Sequence, residues 1–551
     1  MKVSAQFRIS ILASLIAATG CDQLPPIAAL LAGGGKDELP APTCPTSAQV
    51  SQPTGCSDPM YVYQWHLTNT GQNGATVGED ANVKPAWDSG ITGKGVCIAV
   101  VDDGLEIGHE DLAPNVLQRA SYNYLFNSID PTDSPAEWDD GHGTAVGGVA
   151  AAKGASGKGG CGAAPDATLY GYNFLDVPTD INLVNVATRG LSIDSVQNNS
   201  WGYDAPGQLI PITSLWEDAV DFGLQNGRGG KGIIYMFAAG NSDADGDMAN
   251  YDNITNYHGT FAIGAVNKSG AKASYSERGA NLLVSAPSGE SCTTNDATLT
   301  TDRMGANGFN QGSTDYSPGV YDNANPNYTN CFNGTSSATP VVSGVVALML
   351  EANPNLTWRD VRIILARTAR VPSGSTGWVT NGGGLDYNPD FGFGVVDAAA
   401  AVSMAKTWTS VGGSTNQLQA SVSKSTNLPI TDNGCGSMSY QTDTINVSTP
   451  SMSNVEYIDA TVTISNTSAI NSYSNFDGNF RVELVSPDGT ISVLSEQRNA
   501  EVSQELRYGF RFGSEQFLDE DPNGSWQLKV CDGFTGDTGA LTGWTLKVYG
   551  H

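Results

Sequence analysis

The sequence predicts a two-part protein, an α/β domain built on a parallel sheet with helices around it, followed by an all-β sandwich. Two observations carry this. Up to about Met404, apolar runs occur without polar alternation, as in strands covered on both faces; beyond it the texture turns to Ser, Thr and Asn and then to short alternating strands. The chain of 551 residues is long enough for each part to bury its own core.

At the start, Lys2 and Arg8 precede the apolar run Ile9 to Ala18, which is too short to span a membrane and suits a secretory signal over residues 1–20. Ala18-Thr19-Gly20-Cys21 resembles a loose bacterial lipobox, so export is expected, with lipidation of Cys21 and ordinary cleavage nearby both open. Any membrane contact is expected through that anchor alone. Residues 21–56, rich in Pro, Ala and Gly, read as a tether.

Val96 to Val101, Ile233 to Ala238, Phe261 to Val266 and Leu282 to Val284 are the strand candidates of the sheet. Between them, Thr144 to Lys153 and Thr213 to Asn226 are helix candidates. Ser337 to Ala352 is apolar nearly all round and predicts a buried helix, with Pro340 tolerated in its first turn. Asn353-Pro354 stops it, and Thr357 with Asp360 forms a capping box for the next helix. In the tail, Phe480 to Val485 before Pro487-Asp488-Gly489, and Trp526 to Val530, read as sandwich strands.

Acidic residues outnumber basic ones 56 to 27, a formal charge of -29, which disfavours a nucleic-acid partner and suits basic substrates, bound cations or simply a soluble surface. Nine cysteines in an exported chain imply disulfides. Cys44 with Cys56 and Cys435 with Cys531 are the expected pairs. Cys161, Cys292 and Cys331 compete for one bond, and Cys97, inside an apolar strand, is expected to be free.

Three short motifs carry chemistry. Asp102 in Val-Val-Asp-Asp-Gly closes the first strand, His142 lies in Asp-Gly-His-Gly-Thr, and Ser336 opens the buried helix in Gly-Thr-Ser-Ser-Ala-Thr-Pro. A serine hydroxyl needs a histidine to take its proton and a carboxylate to hold the imidazole. Singly, each residue has an ordinary reading, as a turn aspartate, a structural histidine or a capping serine; together, in the order Asp, His, Ser, they point to an acyl-enzyme hydrolase. Asn241, in Phe-Ala-Ala-Gly-Asn after a buried strand, suits an oxyanion donor beside the Ser336 N–H. Metal hydrolysis is disfavoured, since His109-Glu110 has Ala113 where a second histidine would stand.

On these residues the chain resembles the subtilisin-like serine proteases of peptidase family S8, and more narrowly their kexin and furin branch. Asp102-Asp103-Gly104-Leu105-Glu106 with His109-Glu110-Asp111-Leu112, Ser200-Trp201-Gly202, Asn250-Tyr251-Asp252-Asn253, Leu484 to Thr490 and Asp519 to Trp526 carry the resemblance. It implies a subtilisin-like peptidase domain over 57–405, a linker at 406–414 and a jelly-roll-like sandwich, the P domain, over 415–551. It also implies cleavage after Lys or Arg, favouring dibasic sites. Asp252 would receive the P1 side chain, with Asp204 beside it, Asp103 and Asp139 would favour a basic P2, and Ser200, Trp201 and Gly202 would pair with substrate backbone. Calcium is implied too, at Asp247 and Glu277 and at a second site of Asp58 and Asp111.

The sequence departs from the branch in four places. Ala205 replaces a further acid beside the pocket, and Leu183 stands near the acid that demands a basic P4. Residues 293–330 enlarge the loop before Ser336. Few residues separate Cys21 from the peptidase domain, so either folding needs no prodomain or a separate chaperone supplies that help. A broad-specificity subtilisin and a noncatalytic surface-binding protein are the competing readings.

Overall fold

Strand β1 (Cys97–Asp102) is buried along its whole length, and an all-buried strand must be paired on both edges. In the computed structural model it lies inside a seven-stranded sheet with β2 (Tyr122–Asn123), β3 (Thr168–Asn173), β4 (Val196–Asn199), β5 (Ile234–Ala238), β6 (Thr260–Val266) and β7 (Leu282–Pro287). The order is β2-β3-β1-β4-β5-β6-β7 and all pairs are parallel. The structure describes residues 42–47, 55–132, 141–203, 205–292, 296–310, 325–466, 477–498, 504–536 and 539–551. The predicted signal, Cys21, most of the tether, Asp139, Asp204 and the middle of the 293–330 loop lie outside these residues.

Helices α1 (His142–Ala151), α2 (Asp180–Arg189), α3 (Ser214–Asn226), α4 (Thr335–Ala352), α5 (Trp358–Thr368) and α6 (Ala398–Thr407) flank the sheet. By length and composition α4 could cross a membrane, yet nearly all of it is buried, and it packs on β1, β4, β5, β6 and β7 as the central core helix. Each fully buried Val or Leu on it contributes about 1.5–3 kcal/mol. The Thr357–Asp360 capping box forms as the sequence predicts.

Strands β3 and β4 escaped the sequence reading because they carry Thr, Tyr, Gly, Gln and Asn rather than an apolar run. They are buried all the same, and internal hydrogen bonds satisfy part of their polar groups, while Tyr172 Oη and Asn173 Oδ1 of β3 have no partner among the described residues. Asn198 Oδ1 accepts from Ser343 Oγ on α4 at 2.8 Å, and Gln197 Nε2 donates to the Val186 carbonyl at 2.9 Å.

A hairpin of β8 (Thr298–Thr301) and β9 (Tyr328–Phe332) lies on α1, with Thr300 Oγ1 and Thr301 Oγ1 donating to the Ala145 and Thr144 carbonyls. After a small ribbon of β10 (Val379–Thr380) and β11 (Asp386–Tyr387), the chain forms the antiparallel sandwich. It comprises β12 (Leu418–Ile430), β13 (Gln441–Val447), β14 (Val455–Asn466), β15 (Phe480–Val485), β16 (Ile491–Ser495), β17 (Phe510–Ser514), β18 (Gly524–Asp532) and β19 (Gly539–Gly550). Its two sheets run β12-β19-β14-β17 and β13-β18-β15-β16 around a shared apolar core.

The two layers are joined through that core. Leu209, Met248, Tyr251 and Ala280 of the first domain sit in the sandwich core, and Leu518 of the sandwich sits in the first domain's core. Buried ion pairs Arg359–Glu456 and Arg362–Glu515 cross the same boundary.

The disulfides correct part of the sequence reading. Cys435–Cys531 forms as expected, and Cys292–Cys331 takes the bond for which three cysteines competed. Cys44 pairs with Cys97, which is therefore not free, and Cys56 pairs with Cys161. The reason is spatial. The 42–47 segment runs beside the start of β1, with Ser47 against Gly95, and this brings Cys44 to a Cα distance of 5.8 Å from Cys97.

Candidate active site

Asp102 is the last residue of β1, so its side chain leaves the sheet at the carboxyl edge, where crevices of open α/β sheets lie. His142 is the first residue of α1, two residues earlier than the helix predicted from Thr144. The sequence Gly-His-Gly permits the approach. A Cβ at Gly143 would lie 2.7 Å from Asp102 Cβ and 3.1 Å from Asp103 Oδ1, so only glycine fits. His142 Nδ1 bonds Asp102 Oδ1 at 2.8 Å, and the Asp102 side chain is fully buried. Phe332 of β9 packs edge-on against the His142 ring, with centroids 5.3 Å apart.

Ser336 lies in the first turn of α4, where amide N–H groups are unsatisfied and the helix dipole favours negative charge. Its hydroxyl donates to the Ser200 carbonyl oxygen at 3.0 Å, while Ser200 Oγ donates back to the Ser336 carbonyl at 2.9 Å. Asn241 follows β5 and is fixed by Thr335. The Thr335 N–H and hydroxyl donate to Asn241 Oδ1 at 2.8 and 3.0 Å, which leaves the amide NH₂ as the group turned to other acceptors. Thr335 was not foreseen from the sequence; its place between Gly334 and Ser336 is the only signal.

Ser200, Trp201 and Gly202 continue β4 beyond its paired part. Trp201 is locked between Phe174 and Phe237, with centroids at 5.3 and 5.5 Å. At one end this segment is bonded to Ser336; at the other, the Tyr203 N–H donates to Asp252 Oδ2 at 3.4 Å, and a Cβ at Gly202 would lie 3.7 Å from the same oxygen. Nucleophile candidate and acid are thus spaced by one short extended segment. Burial pushes the Asp252 carboxyl up to about 6, against N–H bonds from Ile254 and Tyr203 that hold it down. Such a group gains strongly from a cationic partner.

Asp103 takes a part the sequence did not assign. Its buried carboxylate accepts N–H bonds from Gly141, His142 and Gly143 at 3.2, 3.0 and 2.7 Å, capping α1 and fixing the backbone of His142. Burial first, and then the Asp102 charge, raise it to about 7.

Two acid groups invite a cation. Asp247 and Glu277 are both pushed up by burial, Glu277 further by the charges of Asp247, Asp252 and Asp243. Mutually repelling, desolvated carboxylates fit a hard divalent ion. In the second group, burial and the Asp58 and Glu110 charges lift Asp111 to about 7, and its buried Oδ2 has no hydrogen-bond partner. Asp58 is already engaged by the Gly157 N–H at 2.6 Å. Cys56 and Cys161 close by are tied in a disulfide and offer no thiolate. The donor sets fit calcium, most fully at Asp247 and Glu277.

The structure therefore brings together Asp102, His142, Ser336, Asn241, Ser200 to Gly202 and Asp252, and separately Asp247 with Glu277 and Asp58 with Asp111. A family model described as the subtilase family matches residues 93–394, and one described as the proprotein convertase P-domain matches residues 464–548. Neuroendocrine convertase 2 of Bos taurus is 32% identical over 510 residues, 90% of this chain and 74% of that protein. Furin-1 of Xenopus laevis is 30% identical over 90% of this chain and 59% of its own length. The crystal structure of a serine protease of Aeromonas sobria superposes with a TM-score of 0.80 at 28% identity, covering 94% of this chain and 99% of that one. The same protease, solved in complex with a chaperone, matches at 27% identity with a TM-score of 0.80 over 92% of this chain and 99% of that one.

Proposed function

Because the chain belongs to the subtilase family and carries a proprotein convertase P domain, we propose that this serine endopeptidase works in the kexin and furin manner, cleaving after Lys or Arg and favouring dibasic sites. The observation that carries the reading is the Ser200–Tyr203 segment, bonded to Ser336 at one end and to the buried acid Asp252 at the other.

In the proposed mechanism, substrate lies as an added strand along Ser200 to Gly202, its P1 Lys or Arg reaching Asp252. The Ser336 hydroxyl turns from the Ser200 carbonyl to His142, which takes its proton as Ser336 attacks the scissile carbonyl. Asp102 holds the imidazole through Nδ1 and stabilises the imidazolium. The Asn241 amide and the Ser336 N–H receive the oxyanion; His142 then protonates the leaving amine, and water releases the acyl group. The Asp139 and Asp204 carboxylates are proposed to add to P2 and P1 selection, and Asp103 acts chiefly by capping α1.

Calcium at Asp247 and Glu277, and at Asp58 and Asp111, would supply the charge that these acids lack, stiffening the floor of the P1 pocket and the start of the domain. The four disulfides of the described residues suit an oxidising compartment. The Aeromonas protease, solved with its chaperone, supports a separate folding partner here; the exported chain is either anchored by lipid at Cys21 or cleaved nearby.

A dibasic fluorogenic peptide assayed on the wild type and on Ser336→Ala tests the mechanism; equal turnover in both would sink it. Substituting neutral residues at P1 tests the specificity, and undiminished cleavage would favour a broad-specificity subtilisin.

A further inference from the structure

The wall of the P1 pocket does not rest on the peptidase domain alone. Gly207, in the segment that follows Gly202, has a φ of 73°, the left-handed region that favours glycine. Its N–H bonds the Asp247 carboxylate, and its carbonyl oxygen accepts from Nε of Arg498, a buried residue three positions beyond β16 in the sandwich. The same guanidinium lies over the Tyr251 ring, with Cζ 3.9 Å from the centroid, and Nη1 donates to Ser495 Oγ at 3.2 Å and to the Glu496 carbonyl at 3.3 Å. Tyr251 immediately precedes Asp252, and its hydroxyl accepts from the Glu496 N–H at 3.0 Å.

One P-domain side chain thus holds both flanks of the acid, the wall through Gly207 and the 247–252 segment through Tyr251. Two further bonds join the wall to Tyr251 and Asp252. The Tyr203 N–H reaches Asp252 over a long 3.4 Å, and the Ile210 N–H donates to the Tyr251 carbonyl at 2.7 Å. Between those points lies Gly207. Only a planar guanidinium can donate edgewise from Nε while stacking on a ring; an ammonium cannot do both.

We propose that Arg498 is a positioning residue of the P1 pocket, through which the P domain sets how tightly a basic P1 side chain is gripped. This rests on the reading of Asp252 as the P1 acceptor. A pocket wall displaced by about 1 Å is enough to cost up to ~10²-fold in rate. The loss should fall on binding, because the trio of Asp102, His142 and Ser336 is held by elements that Arg498 does not touch.

The test uses the full chain with calcium present and four peptides that differ only at P1, bearing Arg, Lys, citrulline or Ala. Enzyme is counted by titration with an irreversible serine reagent, so that only folded protein is compared. Arg498→Gln is expected to raise KM for the Arg peptide about tenfold with kcat within about twofold, and to lower the Arg-over-citrulline ratio to match. Arg498→Lys, which keeps the charge and loses the fork, should show the same KM rise with near wild-type thermal stability, and it carries the test if the Gln variant does not fold. Arg367→Ala, which breaks the interdomain pair Arg367–Asp519 (2.7 Å) away from the pocket, should leave the ratio unchanged. Wild-type KM and ratio in Arg498→Lys, or an equal change in Arg367→Ala, would overturn the proposal. Asp252→Asn separates the premise: if it keeps the Arg preference, the P1 reading fails, whatever the Arg498 variants do.

Discussion

The proposed bond-breaking trio and the proposed P1 pocket are joined by the Ser200–Tyr203 segment but are built differently. Asp102 ends a buried strand, and His142 and Ser336 each open a helix, so regular elements of one domain hold all three. Asp252 lies in a loop, walled by another loop, and both lean on sandwich residues 495–498. On the proposed reading, chemistry is a property of the peptidase fold, whereas P1 selectivity is shared across the domain boundary.

The largest blow to the first region is Ser336→Ala, expected to cost about 10⁴ to 10⁶ in kcat with the thermal midpoint unmoved, read by turnover and calorimetry. Arg362→Ala strikes the boundary instead. It leaves Glu515 buried without its cation and should destabilise by about 3–5 kcal/mol, seen in denaturant unfolding. Active enzyme surviving that change should keep its P1 ratio, since the Arg362 guanidinium bonds Glu515 and the His258 and Thr260 carbonyls, none of which lies in the 247–252 segment. Asn241→Ala should lower kcat by about 10² to 10³ with KM little changed, marking the oxyanion as part of the rigid region.

Smaller effects address the acids. Chelation should lower the thermal midpoint by the equivalent of about 2.7 kcal/mol for an ion present at 100 times its Kd. The midpoint gap between calcium and chelator should be wider at pH 8 than at pH 6, because Asp111, raised to about 7, must lose its proton to bind the ion. For Asp252, raised to about 6, the sign is the same: protonation below pH 6 removes the charge that attracts P1 Arg. The Arg-over-citrulline ratio should fall by up to about tenfold per pH unit below 6, and taking the ratio cancels the titration of His142. A flat ratio between pH 5 and 7 would break the comparison at its softer side.

How far the sequence could be read follows the same division. Asp102, His142, Ser336 and Asn241 stand in short motifs at the ends of regular elements, and the elements form where the apolar runs predict. Strands β3 and β4 were hidden because they bury polar side chains, many held by internal hydrogen bonds, and so leave no apolar signature. Cys44–Cys97 was hidden because a pairing depends on where the 42–47 segment runs, not on spacing along the chain. Arg498 was the least visible: nothing in Glu-Gln-Arg-Asn marks a residue that meets Gly207 from 291 positions away. Contacts between distant segments leave their trace in space.

The exchange of apolar side chains at the boundary bears on how such proteins are divided and recombined. A cut in the proposed linker, after the end of α6 at Thr407, would expose Leu209, Met248, Tyr251 and Ala280 on one fragment and leave a gap for Leu518 in it, so neither half is a finished product. The unit that folds, and the unit that can be traded between relatives, is the pair. A graft of one parent's peptidase domain onto another's sandwich succeeds only if the seam travels with it.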